Sequence, residues 1–153
     1  VEIRACPDTQ RKLEGHSQLK MGNASEEDWK TEHLEMVLSV KTVSGLEDAI
    51  QHINRYGSNH TDSIITESHE AAERFMNEVD SAGVFWNAST RFADGFRYGL
   101  GAEVGVSTCK THARGPVGLE GMVIYKYKLY GSGQGAGSYS KGEKEFMHQP
   151  LET

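Results

Sequence analysis

A short segment after a predicted strand concentrates the side chains best suited to bind an anion. The apolar run Ala82–Trp86 predicts the strand, and Asn87, Ser89, Thr90 and Arg91 follow it directly. A guanidinium grips a carboxylate or a phosphate through two parallel hydrogen bonds, and hydroxyl and amide groups add further donors. These residue types in this order predict a site for an anionic ligand, with Arg91 as its main charge partner.

Two alternatives stay open for this segment. The glycines at 95, 99, 101 and 105 are also typical of an irregular surface loop, because glycine lets the backbone turn where side chains do not fit. In that case Arg91 pairs with Asp94 or Glu103 and braces the loop instead of binding a ligand.

Other residues capable of chemistry give weaker signals. His60 lies in a predicted turn, where it either carries a proton or ties the loop backbone together. His112 and Arg114 fit a phosphate contact and a bracing role equally well. Cys6 and Cys109 lack the C-x-x-C spacing of redox and zinc sites and are interpreted as structural thiols. The histidines show no ligand spacing, so no metal site is predicted.

Strand and helix patterns alternate along much of the chain. Runs rich in β-branched and apolar residues indicate strands, and apolar residues at helical spacing indicate helices, one of them capped by Ser68. This alternation predicts an α/β fold, a mainly parallel sheet with crossover helices. Ligands of such sheets bind outside the carboxyl ends of the strands, where Asn87 lies. The predicted elements are strand VEIRA, a helix over ASEEDWKTEHLEM, strand Met36–Val43, helix LEDAIQHINRY, strand DSIIT, helix HEAAERFMNEVDS, and strands Ala82–Trp86 and Met122–Tyr130.

Composition and charge exclude several classes of function. The 153 residues, 37% hydrophobic and 25% charged, fit one globular domain. The formal net charge is −6 and the basic residues are scattered, so no nucleic-acid partner is predicted. No apolar run approaches the roughly 20 residues that span a bilayer. The sequence therefore predicts a soluble, cytoplasmic protein without a membrane partner.

Several long motifs match a known family. They are AIQHINRYGSNHTDSI, VDSAGVFWNASTRFADGFRYGLGAEVGVST and THARGPVGLEG, and EEDWKTEHLEMVLSV also fits. From about Val1 to Tyr130 the chain resembles the carboxyl-terminal portion of γ-glutamyl phosphate reductases, also called glutamate-5-semialdehyde dehydrogenases, a branch of the aldehyde dehydrogenase superfamily. The resemblance implies part of an aldehyde-dehydrogenase-like catalytic domain over residues 1–121 and an oligomerisation strand over 122–130. The Gly/Ser-rich composition of residues 131–153 predicts a flexible tail.

The activity that the resemblance implies is NADPH-dependent reduction of L-glutamyl 5-phosphate to L-glutamate 5-semialdehyde in proline biosynthesis. The family's chemistry uses a cysteine thiolate that forms a thioester with the acyl group. The motif around that cysteine has no counterpart here, and neither Cys6 nor Cys109 fits its role. No catalytic residue is therefore predicted, and the chain is expected to be a fragment that is inactive alone.

Binding residues also follow from the resemblance. It implies that Glu32 lies where the nicotinamide ribose hydroxyls are bound and Leu34 at the neighbouring nicotinamide-packing position, and an exposed acid at a helix end is the alternative for Glu32. The glutamyl phosphate pocket is expected at Asn87, Ser89, Thr90 and Arg91.

Partners are the last expectation. The strand over 122–130 implies a homo-oligomer, and the sequence leaves open whether a glutamate 5-kinase is associated or fused. A rival from another class is a non-catalytic regulatory or interaction domain that kept the fold. The missing nucleophile favours this rival, and the retained polar residues of the ligand-facing loop argue against it.

Overall fold

The computed structural model describes residues 1–146 and divides the chain into two compact units. The first unit is Val1–Val123, and the second begins at Ile124. The first unit contains both segments for which ligand contacts are predicted.

A parallel three-stranded sheet opens the first unit. Strand β1 (Glu2–Ala5) is followed by helix α1 (Pro7–Lys12), strand β2 (Lys20–Asn23) and strand β3 (Val37–Val40). The strand order is β2-β1-β3, and both pairs are parallel. Neither α1 nor β2 is predicted from the sequence, because this polar stretch has no clear hydrophobic periodicity.

A second parallel pair holds the core. Helix α2 (Leu46–Tyr56) leads to strand β4 (Thr61–Ile64), and helix α3 (His69–Glu78) connects it to its parallel partner β5 (Gly83–Trp86). Ile50 of α2 and Phe75 and Val79 at the end of α3 form the buried cluster, against which apolar residues of β4 and β5 pack. The mainly parallel α/β fold predicted from the sequence is therefore confirmed, although its parallel strands form two separate sheets.

Local chemistry sets the ends of these helices as predicted. The Ser68 hydroxyl accepts a hydrogen bond from the Ala71 backbone at 3.2 Å and starts α3. Gly57 ends α2, and a Cβ atom there would lie 2.7 Å from the Ile53 carbonyl oxygen. Glycine is thus required by close backbone approach and not by a left-handed conformation.

An antiparallel hairpin completes the first unit. Its strands β6 (Gly105–Ser107) and β7 (Gly115–Val117) are too short to show a pattern in the sequence. Three 3₁₀ turns, Glu27–Trp29, Thr90–Phe92 and Leu119–Met122, lie in the connections.

The helix predicted over ASEEDWKTEHLEM is wrong. Only the 3₁₀ turn Glu27–Trp29 forms there. The Asp28 carboxylate folds back onto the Ser25 backbone, and Leu34 adopts a left-handed φ of 53°, so the segment cannot continue as an α-helix.

The strand predicted at Met122–Tyr130 does not form in the single chain. Met122 ends a 3₁₀ turn, and residues 123–130 carry no assigned strand. A strand exists only where a neighbouring strand shares its backbone hydrogen bonds, and the described chain supplies none here. Ile124, Tyr127 and Leu129 are at least 93% exposed. The oligomerisation role of this stretch stays a prediction.

The second unit contains one short helix within the described residues. Helix α4 (Ala136–Ser140) forms in the tail that is predicted to be flexible, and the Tyr139 and Phe146 rings stack 4.8 Å apart. Residues 147–153 of the predicted tail lie outside the described residues. In the part of the chain that is described, no helix is long and apolar enough to cross a membrane.

Candidate functional site

One cavity of the first unit brings together residues that are distant in the sequence. Its walls are residues 29–32, residues 56–58, His60 and Thr108, and its volume is about 560 Å³. Small-molecule sites typically enclose about 300–1,000 Å³. Because Glu32 is the predicted ligand contact on its wall, we call it the Glu32 cavity.

The turn before Glu32 is fixed by the buried carboxylate of Asp28. Its Oδ2 accepts hydrogen bonds from the backbone nitrogen and the hydroxyl of Ser25, each at 2.7 Å. Its Oδ1 accepts one from Arg4 of β1 at 2.6 Å. The Ser25 donors and the Arg4 guanidinium hold the pKa of Asp28 well below its usual range. The turn is thereby attached to the first sheet.

Ser39 of β3 attaches the chain on both sides of Glu32. Its hydroxyl donates to the Asp28 carbonyl oxygen at 3.0 Å and lies 2.9 Å from His33 Nε2. Leu34 then turns the chain into β3, with its side chain 86% exposed. Glu32 itself forms no hydrogen bond or ion pair with residues 1–146, so its carboxylate is available to a ligand.

His60 is held in the turn between α2 and β4. Its Nδ1 lies 2.7 Å from the Thr61 hydroxyl, and its backbone nitrogen donates to the Ser58 hydroxyl at 3.3 Å. Its carbonyl oxygen accepts a hydrogen bond from Gly83 at 2.9 Å. His60 therefore ties the loop together, which is one of the two interpretations of the sequence. Its second ring nitrogen, Nε2, has no partner in the described chain.

None of the residues Asn87–Arg91 lines the Glu32 cavity. Some of their side chains hydrogen-bond to nearby backbone and shape the loop, and others have no partner in the described part of the chain. The Asn87 amide accepts from the Thr66 backbone nitrogen and donates to the Thr66 carbonyl oxygen, both at 2.9 Å. The Ser89 hydroxyl accepts from the Arg91 backbone nitrogen at 3.2 Å. The Thr90 hydroxyl and the Arg91 guanidinium have no partner among residues 1–146.

Bracing of this loop falls to Arg97, which sequence reasoning missed. Its guanidinium donates to the Arg91 carbonyl oxygen at 2.5 Å and lies 3.8 Å from the Asp94 carboxylate. Glu103 accepts a hydrogen bond from the Gly95 backbone at 2.8 Å. The alternative in which Arg91 pairs with Asp94 or Glu103 is wrong, because neither pair forms among residues 1–146 and Arg97 and the Gly95 backbone contact these acids instead. The short Asp94–Arg97 spacing is the signal that could have indicated this brace.

Of the two roles predicted for Arg114, the structure supports bracing. It donates to the Asp80 carboxylate at 3.0 Å and to the Asp80 carbonyl oxygen at 3.1 Å. Lys110 pairs with the same carboxylate, and these two cations lower the pKa of Asp80. The contacts attach the β6–β7 hairpin to the end of α3. The contacts of the His112 side chain with residues 1–146 give no support for a ligand role.

The cysteines show no nucleophile arrangement. Cys6 caps α1, and its sulfur accepts weak hydrogen bonds from the backbone nitrogens of Thr9 and Thr42 at 3.5 and 3.4 Å. Burial acts to raise the pKa of Cys6, but the bonds from Thr9 and Thr42 outweigh it, and the net shift is downward. Cys109 is exposed. Within residues 1–146, no group of three acidic, histidine or cysteine side chains is placed to hold a metal ion.

The sequence and the fold of the chain match a class of biosynthetic reductases. The chain is 58% identical over 151 residues to the γ-glutamyl phosphate reductases of Pelotomaculum thermopropionicum and of Acetivibrio thermocellus, covering 99% of this chain and 33% and 34% of theirs. The crystal structure of γ-glutamyl phosphate reductase from Thermotoga maritima aligns with a TM-score of 0.77 and 42% identity, over 88% of this chain and 31% of that one. No family model matches the chain.

The chain is homologous to γ-glutamyl phosphate reductases, as the motifs predict, and it spans about a third of the length of these relatives. Their shared name is that of an oxidoreductase of proline biosynthesis.

Proposed function

We propose that the complete protein containing this chain reduces L-glutamyl 5-phosphate to L-glutamate 5-semialdehyde with NADPH. The observation that carries the proposal is the 58% identity, over almost the whole chain, to relatives named γ-glutamyl phosphate reductase. The matched region spans 99% of the chain and therefore includes both candidate ligand segments.

The free groups of the Asn87–Arg91 segment support a substrate contact. Acyl phosphate and amino-acid carboxylate are both anions, and Arg91 is a charged donor with no internal partner. Asn87 and Ser89 shape the segment around it through their contacts with Thr66 and with the Arg91 backbone. We assign Arg91 as the charge partner of the substrate and Thr90 as a neutral donor beside it.

The Glu32 cavity fits a nicotinamide cofactor. A free carboxylate is suited to accept hydrogen bonds from a ribose diol, and the cavity is large enough for a small-molecule group. Leu34, with its exposed side chain, offers an apolar contact one residue beyond His33. When bound, the cofactor supplies the hydride, and the residues of this chain orient it.

The reductase activity requires residues outside this chain. Hydride transfer to the acyl group needs a nucleophile, and the Cys6 sulfur is engaged at the start of α1. The relatives are about three times as long as this chain. We therefore expect no turnover from the isolated chain.

A chimera tests the proposal. In the Pelotomaculum thermopropionicum relative, the matched third is replaced by this chain; we call the product the chimeric reductase. The assay measures phosphate-dependent reduction of NADP⁺ by glutamate 5-semialdehyde, the reverse reaction. We expect turnover from the chimeric reductase and none from the isolated chain.

Three results contradict parts of the proposal. A chimeric reductase that folds like its parent and shows no turnover removes the proposed activity. Strong preference for NAD⁺ removes NADPH. Turnover by the isolated chain that disappears in Cys6→Ser or Cys109→Ser shows that the nucleophile lies within this chain.

A further inference from the structure

His60 and Glu32 lie on the wall of one cavity, although 27 positions separate them in the sequence. Each has a polar group that is free of partners in the described chain: the Glu32 carboxylate and the His60 Nε2 atom. Each is also carried by a well-anchored segment, Glu32 between Asp28 and His33, and His60 between Ser58 and Thr61. Fixed polar groups that converge on a cavity without internal partners are typical of a ligand site.

The charges around the cavity indicate which kind of ligand it takes. Lys30 is the cation on its wall, and its ammonium is paired with Glu27 at 2.9 Å. The Tyr56 hydroxyl donates to Glu26. The remaining free charge is the carboxylate of Glu32, which repels a phosphate. The cavity therefore suits an uncharged group rich in hydroxyls or amides rather than the acyl phosphate.

The chemistry of His60 adds a second requirement. Its Nδ1 either accepts from or donates to the Thr61 hydroxyl, so Nε2 is a donor in the first case and an acceptor in the second. A primary carboxamide carries both a donor and an acceptor and satisfies either form of the ring. The hydroxyls of Ser58 and Thr108, on the same wall, can complete the hydrogen bonds of such a group.

We propose that His60 contacts the nicotinamide cofactor directly, so that Glu32 holds the ribose diol and His60 the carboxamide of its ribosyl-nicotinamide end. This inference rests on the proposed function and adds His60 to the cofactor site. His60 then has two roles: its contacts within the turn hold the loop together, and its free ring nitrogen binds the cofactor. It also places the substrate phosphate elsewhere, on the side of the Asn87–Arg91 segment.

The test uses the chimeric reductase with His60→Gln and His60→Asn, and His69→Gln as a matched control. His69 is exposed, and its ring lies against Trp86 instead of the cavity. NADPH binding is measured by equilibrium fluorescence without substrate, and the KM for inorganic phosphate is measured in the reverse reaction. Loss of one neutral hydrogen bond corresponds to about a two- to tenfold weaker Kd.

Both His60 variants are expected to bind NADPH more weakly, with an unchanged KM for phosphate. In His69→Gln, both the NADPH Kd and the phosphate KM should stay unchanged. Unchanged NADPH binding in folded His60 variants overturns the inference and leaves the reductase activity in place. A raised phosphate KM with normal NADPH binding overturns it in favour of a phosphate site. A wild-type chimeric reductase that binds no NADPH overturns both this inference and the proposed cofactor.

Discussion

The two candidate regions differ in how their residues come together. The Asn87–Arg91 segment is continuous, and its chemistry is visible in five consecutive positions after β5. The Glu32 cavity is assembled from three stretches of chain, around positions 30, 58 and 108. In the first region a free cation stands beside groups that shape the backbone; in the second, the residues that carry a free carboxylate and a free imidazole nitrogen line one cavity. The difference is consistent with the two tasks proposed above, anion binding and recognition of an uncharged group.

The proposed separation of anion binding from cofactor recognition is tested most strongly at Arg91. In the chimeric reductase, Arg91→Lys keeps the charge but loses the planar pair of donors. A charged hydrogen bond is worth about 1.5–3 kcal/mol, so kcat/KM for the substrate should fall roughly ten- to hundredfold. The NADPH Kd should not change.

Arg97→Lys is the matched control for Arg91. Arg97 braces the loop through the Arg91 carbonyl oxygen and Asp94, and its side chain is 46% exposed. We expect a lower thermal unfolding temperature and a smaller kinetic effect than for Arg91→Lys. Normal kinetics with lower stability in Arg91→Lys itself would remove Arg91 from the substrate site.

Glu32 gives the second, smaller effect. Glu32→Ala in the chimeric reductase should raise the KM for the nicotinamide cofactor about tenfold, the lower end for a charged hydrogen bond because Glu32 is exposed. The KM for the second substrate should change less. Glu35→Ala, an exposed acid three residues further on, is the control and should leave both constants unchanged. Equal effects of Glu32→Ala on both substrates would place Glu32 outside the ribose site.

The smallest effect concerns the anchor of the Glu32 turn and depends on pH. Folding lowers the pKa of Asp28, so its stabilisation is complete above its unfolded pKa of about 4 and is lost as the pH falls below that value. Asp28→Asn should lower the unfolding temperature of the chimeric reductase at pH 7, and the difference from wild type should shrink below pH of about 4. A difference that is constant from pH 7 to pH 3 would show that the carboxylate charge does not stabilise the turn.

Sequence patterns predict most of the parallel elements because these carry their own signals. Strands β3 and β5 are dense in β-branched or aromatic residues, and α3 has both a cap and an apolar face. The α1–β2 connection and the β6–β7 hairpin are missed because these short elements are rich in polar residues, glycine or proline and show no clear apolar pattern.

The candidate sites are predicted in the same uneven way. Arg91 can be proposed from the sequence because the residues next to it in the sequence also shape its loop in the structure. The sequence does not predict that Glu32 and His60 line the same cavity. That cavity forms only where the Asp28 turn, the α2–β4 turn and the β6–β7 hairpin pack together. The assignment of bracing to Arg97 depends on which acid each arginine reaches, which a linear pattern does not contain.

The exposed tyrosines after β7 allow the predicted oligomerisation to be tested chemically. Tyr125, Tyr127 and Tyr130 are 89–94% exposed in the single chain, and Lys126 and Lys128 alternate with them. Phenols in this state react readily with nitrating or iodinating reagents, and a strand laid alongside them covers part of each ring. Counting modified tyrosines by mass spectrometry at increasing protein concentration thus converts oligomerisation into a chemical yield at three known positions.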